Sequence, residues 1–198
     1  MTADAAAVID ASASSGANSI SLELGQKYTG GSGSDTVTAT TTGTVQAVTV
    51  DGGAGTDTLV LGNATNYGTT GAAKYLNFEA IKVGTGLTVD LSKFTGSTIT
   101  AESISGTVTL SGMNAAQALG VTISASAIPT FTLTGATTPG QLDVLTTDIN
   151  DGATAVGAVG TIVLTPSLLG VETWNIKATD GFTTASLANA SALTNLNV

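Results

Sequence analysis

The sequence predicts an all-β fold, a parallel β-solenoid (β-roll/β-helix) with irregular coils, on three observations. Apolar and polar residues alternate with period two over short segments, as strands with one buried face require. Gly-rich or Ser/Asn-rich corners punctuate these segments at intervals of roughly 10 to 13 residues. Short units recur in degenerate form, as in stacked coils that cannot bury an apolar face alone. Composition agrees: hydrophobic residues reach 42 %, charged ones only 10 % and aromatics 4 %, so the core is built from small aliphatics.

From the N-terminus, DASASSG at 10–16 is the first copy of an Asp-x-Ser-x-x-(Ser/Thr)-Gly unit; DLSKFTG at 90–96 is the second and NASALTN at 189–195 a drifted third. Asp or Asn at such a corner hydrogen-bonds the backbone two residues on, so the unit reads as a turn-former. Two glycine-rich segments follow, GGSGSDTVT at 30–38 and GGAGTDTLV at 52–60, each leading into an alternating strand. Asp35 and Asp57 are 22 residues apart, which fits one coil. In that coil a strand over 36–40 turns near Thr42 and Gly43, a second strand over 44–50 returns, and the second glycine turn stacks on the first.

Farther on, FEAIKV at 78–83 pairs with VETWNIKA at 171–178, each an apolar residue and Glu leading into a strand. Alternation marks further strands at Leu87, Val89 and Leu91, at Val108 and Leu110, at Val121 and Ile123, at Phe131 and Leu133, and at Trp174 and Ile176. MNAAQALG at 113–120 predicts one or two helical turns closed by Gly120. Residues 1–62 are expected to form the glycine-motif coils and 63–198 a continuing Thr/Ala-rich solenoid, in one continuous domain. LTNLNV at the end reads as the middle of a strand, so the chain is expected to be a piece of a longer one.

The net charge is −9, from 14 carboxylates against five lysines (Lys27, Lys74, Lys82, Lys93 and Lys177), with no Arg, His or Cys. Scattered lysines make no basic patch, which argues against nucleic acid; cations are the natural complement. No run approaches a membrane span, and the start lacks a basic, apolar secretory signal. Catalysis has little to stand on without Arg or His, and Asp148 and Asp151 in TTDINDGA read as solvated turn residues. Thr-x-Thr runs such as Thr36 to Thr40 and Thr98 to Thr100 read as outward strand residues, with an ice-binding or carbohydrate-binding face as the alternative.

Both glycine segments satisfy G-G-x-G-x-D-x-U-x, with U apolar. A phosphate cradle would need a following helix and Lys, and neither segment has them. Calcium takes about six to eight oxygens, many from backbone carbonyls, and glycines let a turn converge its carbonyls while Asp adds charge. The segments resemble the RTX family of secreted proteins, and their Thr/Ala/Ser-rich setting is similar to that of RTX-type bacterial surface-layer proteins and large adhesins. The resemblance implies Ca2+-dependent folding outside the cell, type I secretion and attachment to the bacterial surface.

The expected metal site is Gly30, Gly31, Gly33 and Asp35 with Gly52, Gly53, Gly55 and Asp57, one ion shared by two turns. Asp51 either joins it or caps the turn. The expected function is a self-assembling surface-layer, filament or adhesin module. Its expected partners are copies of itself, in a lattice or filament, and a cell-surface polysaccharide.

Overall fold

The computed structural model describes residues 7–23, 25–39, 46–61, 72–84, 87–102, 108–124, 132–134, 144–149, 162–164, 167–178, 182–184, 187–188 and 190–198. Nine short strands form one continuous sheet: β2 (Ser19–Leu22), β4 (Thr36–Ala39), β6 (Thr58–Leu61), β8 (Ala80–Val83), β10 (Thr98–Glu102), β12 (Val121–Ser124), β14 (Val144–Ile149), β17 (Thr173–Ala178) and β19 (Asn195–Asn197). The chain visits a second face between successive strands of the first. Early coils supply β1 (Val8–Asp10), β3 (Lys27–Thr29), β5 (Val50–Asp51) and β7 (Tyr75–Leu76). Later coils supply β9 (Thr88–Asp90), β11 (Thr109–Ser111), β13 (Thr132–Thr134) and β16 (Ser167–Leu169), and β15 (Ile162–Leu164) pairs with β18 (Phe182–Thr184). Every pairing among the described residues is parallel, so the fold is the expected β-solenoid.

Alternation sets which residues enter the core. Ile20, Val37, Leu59, Ile81, Ile99 and Val121 occupy one register column, and Leu22, Ala39, Leu61, Val83, Ala101 and Ile123 the next. All but the half-buried Ile20 are buried. Each large aliphatic stabilises by about 1.5–3 kcal/mol when fully buried, and stacking like on like lets every coil complete its neighbour's core. Leu59 opposite Ile81 carries this ladder across the expected boundary at 62.

Coil length varies, as the irregular spacing predicts. Ladder partners lie 17 residues apart at Asn18 and Asp35, 22 apart at Asp35 and Asp57, and 29 apart at Asp148 and Lys177. The one tryptophan, Trp174, lies in register with Leu145, and its Nε1 donates to the buried Thr147 hydroxyl at 3.1 Å.

The expected helix is α1 (Ala115–Ala118), opened by a capping box between Asn114 and Gln117. Leu119 is its C-cap and Gly120 follows. The second Asp-x-Ser corner is a 3₁₀ turn over Leu91–Lys93, with Asp90 accepting from the Ser92 amide. The first corner repeats that contact from Ser12 to Asp10, and the Ser12 hydroxyl and amide hold the Asp10 carboxyl below its usual range. Both units therefore act as turn-formers.

Asp148 departs from expectation. It lies on β14, not in a loop, and accepts from Lys177 at 2.7 Å across the ladder, because the strand runs on through Ile149. Asp151, Phe131 and the corner expected at Thr42 and Gly43 lie outside the described residues. The strand expected over 36–40 is described as Thr36–Ala39, and its return as Val50–Asp51. No helix among the described residues is long and apolar enough to cross a membrane.

Candidate cation site at the stacked glycine corners

One residue precedes each strand of the nine-stranded sheet, and in the early coils these residues are Asn18, Asp35, Asp57 and Glu79. Parallel stacking places them one above another. The Asn18 amide donates to Asp35 Oδ1 at 2.8 Å, the Asp35 amide to Asp57 Oδ1 at 2.6 Å, and the Asp57 amide to Glu79 Oε2 at 2.8 Å. Each carboxylate thus accepts the backbone N–H of the preceding rung. Charge-assisted bonds of this kind are stronger than neutral ones, so the corner is fixed where the chain turns into the strand.

The glycines let the rungs come this close. Gly30 donates to the Asp51 carbonyl at 2.8 Å, and Ala54 to the Gly31 carbonyl at 2.8 Å, so the second turn sits on the first as expected. A Cβ on Gly30 would overlap the Gly52 carbonyl oxygen, and one on Gly52 would overlap that of Asn77. Gly33 and Gly55 also stack: a Cβ on Gly55 would lie 2.6 Å from the Gly33 carbonyl oxygen. Gly53 and Gly55 hold φ of 96° and 133°, a region that favours glycine. Asp51 caps its turn, accepting from the Gly53 amide at 3.0 Å and from Asn77 Nδ2 at 2.7 Å.

The two motif carboxylates have the same place in the repeat and different surroundings. Asp35 Oδ1 accepts from the Asn18 amide and from Asn18 Nδ2, and Asp35 Oδ2 accepts from the Tyr28 hydroxyl at 2.8 Å. Burial works to raise its pKa, but these donors together with the Gly31 amide outweigh burial and hold it below the usual carboxylate range. Burial and the Asp35 carboxylate push the Tyr28 hydroxyl up to about 12, so it is a donor at neutral pH.

One coil on, the residue in register with Tyr28 is Val50, which has no hydroxyl. Asp57 Oδ2 is accordingly left buried with no partner, alone in this among the described buried side-chain polar atoms. Burial pushes the Asp57 carboxyl up, opposed by the Asp35 amide and reinforced by the charges of Asp35, Glu79 and Asp51.

A cation is tested against this geometry at that oxygen. A buried carboxylate oxygen without a donor, among like charges, is costly until a proton or cation meets it. Asp57 Oδ2 and the Asn77 carbonyl oxygen are neighbours, both closing on Gly52 within 2.9 Å of where its Cβ would stand. The residues present therefore fit a cation at Asp57, while Asp35 is already supplied with donors. No group of three or more Asp, Glu, His or Cys side chains is disposed to hold a metal among the described residues, so backbone carbonyls would share the work.

Glu79 belongs to this column although it lies outside both glycine motifs. Its signal was present in FEAIKV: a carboxylate immediately before a strand, 22 residues after Asp57. The Thr-x-Thr runs, by contrast, do not assemble into one uninterrupted array. The outward column reads Ser21, Thr38, Val60, Lys82, Thr100, Thr122, Asp148 and Lys177, so an apolar residue and three charged ones break it.

Comparison of the chain with family models, curated proteins and solved structures gave no match.

Proposed function

We propose that the chain is a structural module of an extracellular bacterial surface layer, filament or adhesin, ordered by calcium and associating with copies of itself. The observation that carries this reading is the continuous parallel ladder from β2 to β19, with buried polar side chains that, Asp57 Oδ2 apart, are spent on the fold itself. Gln26 accepts from the Glu23 amide, Gln46 bridges Gly25 and Gln26, Gln117 donates to three carbonyls of the adjacent corner, and Thr147 accepts from Trp174. Side chains committed to backbone contacts suit a rigid body better than a reaction centre, and the proposed role is non-catalytic. The net charge of −9 opposes close packing of copies unless cations offset it, which gives calcium a second task between neighbours. A cell-surface polysaccharide is the proposed surface partner, through the polar outward faces.

Light scattering and electron microscopy across a calcium titration test the reading. Assembly should disappear in chelator and return with calcium chloride, but not with sodium chloride at equal ionic strength. A particle that stays monomeric at high protein concentration, with and without calcium, overturns it.

A further inference from the structure

The two glycine turns differ in what meets one carboxylate oxygen. Tyr28 donates its hydroxyl to Asp35 Oδ2, whereas Val50, in register with Tyr28, donates nothing to Asp57 Oδ2. In both turns the motif carboxylate oxygen lies beside a carbonyl oxygen of the next coil. The Cβ position of Gly30 faces the Gly52 carbonyl oxygen and Asp35 Oδ2, and that of Gly52 faces the Asn77 carbonyl oxygen and Asp57 Oδ2. Asn77 holds φ at 55°, the only described non-glycine residue with positive φ, and its Nδ2 also bonds the Asp51 carboxylate. Glu79 and Asp51 add charge beside Asp57; at the first turn Asp57 holds the place of Glu79, and Thr29 that of Asp51.

We propose that the cation is not shared by the two glycine turns but sits at the second alone, held by the Asp57 carboxylate and the Asn77 carbonyl beside Glu79, while the Tyr28 hydroxyl replaces it at the first. A hard divalent cation suits an all-oxygen cradle that mixes a carboxylate with a backbone carbonyl. In the first turn the hydroxyl does the same electrostatic work with a neutral group. The repeat thus alternates two ways of satisfying one buried oxygen, and residue 28 or 50 selects between them.

This inference rests on the calcium reading above but not on assembly. Calorimetry with calcium chloride on the dilute chain reads binding; scattering reads association, so either can fail without the other. The chain should bind one calcium ion. Asp57→Asn, which supplies an amide donor and removes the charge, should lower the affinity at least tenfold while circular dichroism stays unchanged. Tyr28→Phe should free Asp35 Oδ2 and raise the stoichiometry from one to two. Calcium binding that is absent from the parent chain, unaltered in Asp57→Asn, or still single in a folded Tyr28→Phe chain overturns the proposal. If Tyr28→Phe does not fold, Asp57→Asn decides it.

Discussion

Single atoms at the corners carry much of the stability. Gly16 and Gly30 are both corner glycines, yet a Cβ on Gly16 meets nothing within 4 Å while one on Gly30 would overlap the Gly52 carbonyl oxygen. Gly16→Ala should therefore leave the unfolding free energy from urea titration within about 0.5 kcal/mol of the parent, and Gly30→Ala should cost about 3 kcal/mol or more. Asp35→Ala strips the acceptor from Tyr28 and Asn18 together and leaves a buried hydroxyl unpaired, for an expected loss of about 3–5 kcal/mol. The pH dependence follows from its direction of shift. The folded Asp35 carboxyl lies below the ordinary 3.8, so its contribution is complete above that value and is lost as pH falls through the lower folded value. Urea unfolding of the parent and of Asp35→Asn in chelator should thus differ most near neutral pH, begin to approach each other as pH falls through about 3.8, and converge only below the lower folded value.

At the scale of elements, side chains that reach across coils matter more than local propensity. Helix α1 is a single turn, too short to persist alone, and Gln117 anchors it by donating from Nε2 to the Leu91, Phe94 and Gly96 carbonyls at 3.0–3.1 Å. Asn114→Ala should cost about 1 kcal/mol through the lost capping box, whereas Gln117→Leu should cost about 2–4 kcal/mol by taking the Gln117 donor from the Phe94 and Gly96 carbonyls, while the Leu91 carbonyl keeps the Phe94 amide. Differential scanning calorimetry separates the two. The helix, the strands and the stacked turns were legible because each is written locally, in alternation, a cap or a run of glycines. What stayed hidden was set by register. The position of Asp57 in its motif is identical to that of Asp35, and only the pairing of Tyr28 with Val50 reveals that one carboxylate is supplied and the other is not. Asp148 was misplaced for the same reason: its partner Lys177 is 29 residues away and no local pattern joins them.

Over the whole molecule, stacking makes the fold close to one-dimensional, since each coil pairs mainly with the coil before and the coil after. Neighbouring interfaces then hold local stability, and damage should spread only as far as those interfaces transmit it. Leu59 sits fully buried in β6, between Val37 of β4 and Ile81 of β8, and truncating it opens a cavity that costs about 2–5 kcal/mol. β17 lies several coils away, with its own core of Trp174 in register with Leu145. Hydrogen exchange followed by mass spectrometry on Leu59→Ala should show protection lost in β4, β6 and β8 and kept in β14 and β17. Calcium should restore the protection of β6 and β8 first, because the proposed ion lies at the corner that feeds them. Equal loss along the ladder would mean that the body unfolds as one cooperative unit, with coupling between distant coils stronger than nearest-neighbour stacking supplies.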